Sequence, residues 1–211
     1  MLRIRTGGFL NVVNEKYRCN DPLRTIRVST LMRVHAPRTE AAMLALLQAH
    51  EQPCADCAER TRGGGLPGWE SALWRAVQQE PFAHVTWEEV QAFVYDLYVK
   101  SPVRGFLFED YALLWLRNHG YHVRLATPEE DCAWAVDLVV LDRYTAQPQA
   151  GVQVKPLSYR HVRADVHQLN ERKNKLADYP VYYLYYNNDG HWLDETVLPQ
   201  LWDLLQYLRL Y

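Results

Sequence analysis

The sequence predicts an α/β fold in which a β-sheet is flanked by helices and preceded by a mainly helical part. Two observations support this prediction. Amphipathic helical patterns with recognisable caps dominate the chain up to about residue 100. After Arg104 the patterns follow the order helix, three strands, helix, strand, helix, which is typical of a sheet covered by helices. We therefore predict two regions, residues 1–100 and residues 101–211, the second of which contains the sheet.

The N-terminal region is predicted to contain three helices. Thr39 can cap a helix in TEAAMLALLQAH, and Thr86 with Glu89 forms a capping-box pattern ahead of an apolar stripe in TWEEVQAFVYDLYVK. A further helix is predicted between them, in WESALWRAVQQ. The residues from Met1 to about His35, by contrast, are predicted to form short extended segments with a turn at Asn20–Pro22.

Two breaks in regular structure are predicted. Three glycines and a proline lie between Thr61 and Gly68, and such residues extend neither a helix nor a central strand. A loop is therefore predicted there. A second break is predicted at Ser101 and Pro102, followed by a helix in RGFLFEDYALLWLRNHG that ends near Gly120.

The C-terminal region carries the strand patterns. Strands are predicted in YHVRLA, in Ala133–Asp142 and in Ala150–Pro156, and the polar connection RYTAQPQ between the last two is typical of a hairpin. A polar helical segment, His161–Lys175, follows. The strand PVYYLYYNNDG and a helix in LPQLWDLLQYLRLY complete the predicted order.

The composition limits the classes of function. The chain has 211 residues, is 48% apolar and carries a net charge of -2, so it has no overall basic field and any surface for nucleic acid would have to be local. No run of about 18 apolar residues occurs, and the N-terminus lacks the apolar stretch of a signal peptide. We therefore expect a cytoplasmic protein without membrane contact.

The cysteines allow two interpretations. The chain has 4 cysteines at irregular spacing, which does not suit a secreted disulfide scaffold of this size. Cys54 and Cys57 form a C-x-x-C pattern shortly after His50, so a structural Zn²⁺ site or redox use is one interpretation. Reduced thiols in a loop after a helix are the other.

An acidic residue stands out among the predicted strands. Asp137 lies within the apolar segment VDLVVL, where a buried carboxylate is costly unless it is paired or bound to a cation. On the neighbouring strand Gln153 and Lys155 share one face, because alternate side chains of a strand point the same way. The predicted hairpin can therefore bring these three residues together.

These residue types suit phosphodiester hydrolysis. Carboxylate and carbonyl oxygens are ligands that Mg²⁺ accepts, and such an ion can polarise a phosphodiester. A lysine beside it can position the attacking water or neutralise the charge that develops on the phosphate. The alternative is a buried ion pair between Asp137 and Lys155 in a non-catalytic core.

The pattern D-x(n)-Q-x-K resembles the signature of the PD-(D/E)xK nuclease superfamily, whose core has the element order predicted above. The surrounding segments RLATPEEDCAWAVDLVV, VQVKPLSYR and VYYLYYN resemble the type II restriction endonucleases of the MjaI family. The resemblance covers about Gly105 to Asn187. It implies a nuclease core built on a central mixed β-sheet flanked by helices.

The resemblance also implies roles for individual residues. Asp137 would be the metal ligand and Lys155 the catalytic lysine, while Gln153 occupies the middle position of the signature, where the superfamily most often has Glu. Because the Gln153 amide lacks a charge, the Mg²⁺, or Mn²⁺ as a substitute, would also depend on a backbone carbonyl such as that of Val154 and on the scissile phosphate. Glu109 is a candidate additional ligand, since many members of the superfamily place an acid on this helix.

Three acidic residues have competing interpretations. An acid near the start of a helix, such as Glu109, is also favoured by the helix dipole alone. Glu129 and Glu130 follow Pro128 in the segment before Asp137, and we predict a solvated turn there rather than metal ligands.

Contacts to double-stranded DNA would come from local basic and polar clusters. The predicted phosphate contacts follow the Lys155 strand, end the next helical segment or precede the core helix: Ser158, Tyr159, Arg160, His161, Arg163, Arg172, Lys173, Lys175 and Arg104. The N-terminal region would supply further DNA-recognition or dimerisation elements.

The favoured function is therefore a Mg²⁺-dependent type II restriction endonuclease that cuts a short palindromic DNA site as a homodimer, with a cognate DNA methyltransferase in the same system. The alternatives are a non-specific or structure- or modification-dependent DNA nuclease, and a non-catalytic DNA-binding protein on a degenerate nuclease fold.

Overall fold

The computed structural model describes residues 2–19, 28–51, 65–81, 84–161, 164–187 and 191–192, together with positions 199 and 203; the side chains of residues 2–6, 160, 161 and 164–166 are not described. The chain divides into two compact units, Met1–Arg104 and Gly105–Tyr211. The sequence placed the boundary between residues 100 and 101. The helix predicted at the C-terminus lies outside the described residues except for positions 199 and 203.

The regular structure described within Met1–Arg104 is helical. Its α-helices are α1 Leu2–Lys16, α2 Val28–His35, α3 Glu40–Ala49, α4 Gly65–Val77 and α5 Trp87–Tyr95. The predicted cap of α3 is confirmed, since the Thr39 hydroxyl accepts a hydrogen bond from the Ala42 amide at 3.1 Å. The capping box of α5 is confirmed as well, with the Thr86 and Glu89 side chains each accepting from the other residue's amide.

The extended segments predicted before His35 are wrong, because α1 and α2 occupy most of this stretch. The two glycines and several β-branched residues of α1 give it a low helix propensity. Leu10 and Val13, three positions apart on one side of the helix, are each only 1% exposed. Tertiary packing of this face therefore overrides local propensity. The turn predicted at Asn20–Pro22 lies outside the described residues.

Both predicted breaks need correction. Gly65–Gly68 belongs to α4, where Pro67 is tolerated because it lies in the first turn and its missing N–H has no helical partner to lose; residues 61–64 are not described. At the second break a π-helical turn, Asp96–Lys100, leads into α6, Ser101–Asn118. The Ser101 amide bonds to the Asp96 carbonyl, and this wider turn accommodates Pro102, which cannot donate a helical hydrogen bond.

The unit Gly105–Tyr211 is α/β, with a four-stranded mixed sheet flanked by helices. The elements after α6 are β1 His122–Leu125, α7 Pro128–Trp134, β2 Leu138–Leu141, β3 Pro148–Pro156, a 3₁₀ turn Leu157–His161, α8 Ala164–Asn174 and β4 Val181–Tyr186. The sheet order is β1-β2-β3-β4, in which β3 and β4 are parallel and the other pairs antiparallel. The predicted hairpin of β2 and β3 is confirmed.

The strand predicted over Ala133–Asp142 starts too early. Residues 128–134 form α7, and regular pairing begins only at Leu138. Ala135 ends α7 in the left-handed conformation with φ 54°. Asp137 therefore lies directly before β2 rather than in the middle of a strand.

The two faces of the sheet bury different clusters. One face packs against α6, with Leu138, Val152 and Leu184 of the strands and Leu116 of the helix all fully buried. The other face carries a smaller cluster that includes Val136 and Val139. Among the described helices, none combines the length and apolar character that crossing a membrane requires.

Candidate active site

Asp137, Gln153 and Lys155 lie on the face of the sheet opposite α6. The register pairs Leu138 with Val152, and the Asp137 amide donates a 3.0 Å hydrogen bond to the Val152 carbonyl. Since Val152 and Val154 point into the α6 core, the residues that alternate with them face the other side. The three side chains that the sequence singled out therefore meet at one place.

Donors from β3 hold the Asp137 carboxylate. Its Oδ2 accepts hydrogen bonds from the Val154 amide at 2.7 Å and from Lys155 Nζ at 3.1 Å. The Asp137 side chain is only 6% exposed, whereas that of Lys155 is 24% exposed. Val154, expected to offer its carbonyl to a metal, is shown here as a backbone donor to Asp137. The Val154 amide thus fixes the buried Asp137 carboxylate, while Lys155 keeps access to solvent.

Lys155 is held in its charged form. Burial lowers the pKa of Lys155, but the charge and hydrogen bond of Asp137 outweigh it, so the pKa lies above its usual 10.5. The charges of Glu109, half-buried on α6, and of Asp131 on α7 act in the same direction. An ammonium that is charged at neutral pH suits charge stabilisation or water positioning rather than proton abstraction.

The Gln153 amide has one satisfied and one unsatisfied end. Gln153 is 1% exposed, and its Nε2 donates to the Ala135 carbonyl. Its Oε1 has no hydrogen-bond partner among the residues that the structure describes. The orientation of the amide is unambiguous, because only the NH₂ group can donate to a carbonyl. A buried acceptor without a donor costs about 1–3 kcal/mol, which a ligand at this oxygen would recover.

The turn predicted at Glu129 and Glu130 is wrong because both residues lie in α7, and the predicted solvation is wrong for Glu130. Glu130 is buried on α7, and its carboxylate forms two 2.7 Å hydrogen bonds with the Arg124 guanidinium. It also completes a capping box with Thr127. The hydrogen bonds from Arg124, and secondarily those at Thr127, hold the pKa of Glu130 below its usual 4.5. Glu129 is exposed, as predicted.

The residues predicted to contact DNA have varied positions. Ser158 is exposed in the 3₁₀ turn, and Arg104 is exposed on α6. Lys173 donates a 2.8 Å hydrogen bond to the Cys132 carbonyl at the end of α7. Arg172 and Lys175 are exposed. The side chains of Arg160 and His161 are not described, and Arg163 lies outside the described residues.

Tyr159 belongs to an aromatic row that was not predicted from the sequence. Its buried ring stacks near Tyr183, with centroids 6.0 Å apart, and Tyr183 in turn stacks with Tyr185 at 5.8 Å. Asn170 of α8 donates to the Tyr159 hydroxyl. Tyr183 and Tyr185 pair in register with Gln153 and Lys155, so the row borders the site. The signal available in the sequence was VYYLYY, which places Tyr183 and Tyr185 two positions apart and therefore on one face of the strand.

The interpretations of the cysteines concern residues that are largely outside the described part of the chain. Cys54 and Cys57 are not described. His50 is buried, its Nδ1 lies 2.7 Å from the Leu46 carbonyl, and its ring centroid is 5.1 Å from that of His35. Within the described ranges, no group of three or more His, Cys, Asp or Glu side chains is placed to hold a metal ion.

The site thus combines a buried carboxylate, a charged lysine and an amide oxygen that no described residue satisfies, on β3 and at the start of β2. A scan against protein-family models, a search of curated proteins and a search of solved structures each found no match.

Proposed function

We propose that the chain is a Mg²⁺-dependent endonuclease with a PD-(D/E)xK core, a type II restriction enzyme that hydrolyses double-stranded DNA at a short palindromic site. The observation that carries the proposal is the buried Oε1 of Gln153, which has no hydrogen-bond partner in the described part of the chain and lies beside the Asp137–Lys155 pair. The segments that resemble the MjaI family, including those around Asp137 and Lys155, support it. Cutting a palindrome implies a homodimer, since each active site handles one strand.

The residues present fit a hard divalent cation. Asp137 and Gln153 would hold it through oxygen atoms, with Glu109 as a further candidate, and Mn²⁺ could replace Mg²⁺. When bound, such an ion supplies Lewis-acid polarisation of the phosphodiester and a more acidic water. Gln153 would contribute an uncharged oxygen ligand. A site with such a ligand has fewer acidic side chains than metal sites built from carboxylates alone.

The protein's own residues have separable roles in this mechanism. The Val154 amide orients the Asp137 carboxylate, and Asp137 orients Lys155. The Lys155 ammonium, partly open to solvent, can donate to a phosphate oxygen or hold the attacking water. Exposed groups near the end of β3, such as Ser158, are proposed to contact the DNA backbone.

A second interpretation is a non-catalytic DNA-binding protein on a degenerate nuclease fold. The direct contact of Lys155 with Asp137 favours it, because these two charges already neutralise each other without a metal. Digestion of plasmid and phage DNA with Mg²⁺, with and without EDTA, separates the alternatives. Discrete bands support the restriction enzyme, a smear a non-specific nuclease, and intact DNA the binding protein.

The assignment of the site is tested by Lys155→Ala. We expect cleavage to fall by roughly 100-fold or more, since a preorganised charge at the reacting phosphate is removed. The control is Lys100→Ala, which removes an exposed lysine of the other unit, 5.7 Å from the ring centroid of Tyr95. Initial rates on a supercoiled plasmid measure both variants. A Lys155→Ala protein that cleaves at the wild-type rate would contradict the assignment.

A further inference from the structure

We propose that the Ala135 carbonyl at the end of α7 selects an amide at position 153, so that Gln153 is a matched residue rather than a weakened glutamate. The inference rests on the proposed function, because Oε1 of Gln153, the end of the amide that does not contact Ala135, is the proposed metal ligand. It assigns to Ala135, which touches neither metal nor DNA in the proposal, the role of a positioning residue.

The two ends of the Gln153 amide face different surroundings. Nε2 donates to the Ala135 carbonyl, and this contact fixes which way the amide is turned. Oε1 therefore points away from Ala135 and finds no donor among the described residues. With 1% of the residue exposed, solvent does not compensate this atom.

The Ala135 carbonyl is itself held in place by α7. At the start of the helix, Arg124 binds the Glu130 carboxylate through two hydrogen bonds, and Glu130 caps the Thr127 amide at 2.7 Å. At its end, Lys173 of α8 donates to the Cys132 carbonyl.

Ala135 follows the last residue of α7 and adopts the left-handed conformation that a non-glycine residue rarely takes. Its amide is still bonded to the Asp131 carbonyl of the helix at 3.0 Å. The acceptor thus belongs to a helix anchored at both ends.

A glutamate would not fit this arrangement. An ionised carboxylate has only acceptor atoms, so one of its oxygens would face the Ala135 carbonyl oxygen without a proton between them. The extra charge would also be buried without a new donor. Glu is the most common residue at this position in the superfamily that the sequence resembles. Gln153→Glu would therefore remove the Ala135 contact rather than only add a stronger metal ligand.

The test compares Gln153→Glu with Gln149→Glu, measured by thermal unfolding at neutral pH in EDTA and without DNA. Gln149 lies on the same strand, four positions earlier, and is partly exposed. Gln149→Glu is therefore the same chemical change at a position away from Ala135. We expect the unfolding midpoint to fall by about 4 °C or more for Gln153→Glu and by about 1 °C or less for Gln149→Glu. A Gln153→Glu midpoint at or above that of the wild type would overturn the inference.

Two further measurements keep the test decisive. In the wild-type protein, the Gln153 side-chain NH₂ should exchange its protons with solvent at least about tenfold more slowly than that of Gln149, and equal rates would overturn the inference even if Gln153→Glu fails to fold. Calorimetric titration with Mn²⁺ should show that Gln153→Glu does not bind the ion much more tightly than the wild-type protein does. A gain of about tenfold or more in affinity would show that a carboxylate fits.

These outcomes are separate from the failure of the proposed function. If the wild-type protein cuts no DNA, the nuclease proposal fails while the stability and exchange results still decide the role of Ala135. If the wild-type protein cuts DNA and Gln153→Glu is as stable as the wild type, only the present inference fails.

Discussion

At the scale of single residues, the site depends on where the backbone supplies donors and acceptors. Asp137 is buried, yet the Val154 amide and Lys155 satisfy its Oδ2. Gln153 is buried with only one of its polar atoms satisfied within the described structure. This contrast, rather than the residue types alone, identifies the amide oxygen of Gln153 as the atom of the candidate site that a ligand would stabilise.

Close packing beside the site, on the same face of β3, gives the first residue-scale prediction. A Cβ on Gly151 would lie 3.0 Å from Val136 Cγ2 and 3.1 Å from both Tyr179 Cε2 and Val181 Cγ2. We expect Gly151→Ala to lower the free energy of unfolding by about 1–3 kcal/mol, because β3 must shift against its neighbours. Urea unfolding measures the change. A variant as stable as the wild type would show that these side chains yield without cost.

Gly105 provides the matched control for that substitution. It lies inside α6, where an added Cβ would meet no atom within 4 Å. Gly105→Ala is expected to raise the free energy of unfolding by about 0.5–1 kcal/mol, since alanine loses less backbone entropy than glycine in a helix. The same methyl group is thus expected to act in opposite directions at the two positions.

At the scale of elements, α7 is a short helix that was not predicted from the sequence, as α1 and α2 were not. A T-x-x-E capping-box pattern, Thr127 to Glu130, was present, and the same pattern had correctly indicated α5 at Thr86 and Glu89. The helix is only 7 residues long, so its periodicity is too short to distinguish it from a turn. Besides its capping box, α7 has contacts to other elements, from Arg124 of β1 and Lys173 of α8.

The ion pair of α7 predicts a dependence on pH. Since the pKa of Glu130 is lowered from 4.5 in the folded protein, its stabilising contribution is present above about pH 4.5 and is lost as the pH falls through the folded value. Glu130→Gln should lower the free energy of unfolding at pH 7 by about 1–2 kcal/mol, a modest effect because Arg124 is partly exposed. The difference between wild type and variant should shrink in denaturant titrations below about pH 4.5.

Glutamine at position 130 can still form the capping box, so the substitution isolates the charge interaction with Arg124. Glu129→Gln is the control, because it removes the neighbouring exposed carboxylate, and its effect should stay within about 0.5 kcal/mol. A Glu130→Gln variant whose loss of stability is independent of pH would argue that packing, not charge, accounts for the effect.

At the scale of the whole molecule, the proposed function requires two copies of the chain. A palindromic site presents the same sequence on both strands, and a two-fold dimer places one active site on each. We expect light scattering to give a protein mass of twice 24.7 kDa, either for the free protein or, after the mass of the DNA is subtracted, for its complex with a DNA fragment that carries the cleavage site. A mass of one chain with and without such DNA would contradict the palindromic cutter and favour a nuclease that acts as a monomer.

The sequence by itself determined the features that depend on neighbours along the chain. The caps at Thr39 and Thr86, the hairpin of β2 and β3, and the common face of Gln153 and Lys155 follow from short-range hydrogen bonding and from the two-residue period of a strand.

Only the tertiary structure decided the helical state of residues 2–16, the burial of Glu130, the parallel pairing of β3 with β4 and the contact between Gln153 and the Ala135 carbonyl. Each of these depends on atoms that are distant along the chain, and burial against such partners outweighs local propensity. The sequence therefore indicated which residues form the candidate site, whereas the fold decided which of their atoms are satisfied and which remain for a ligand.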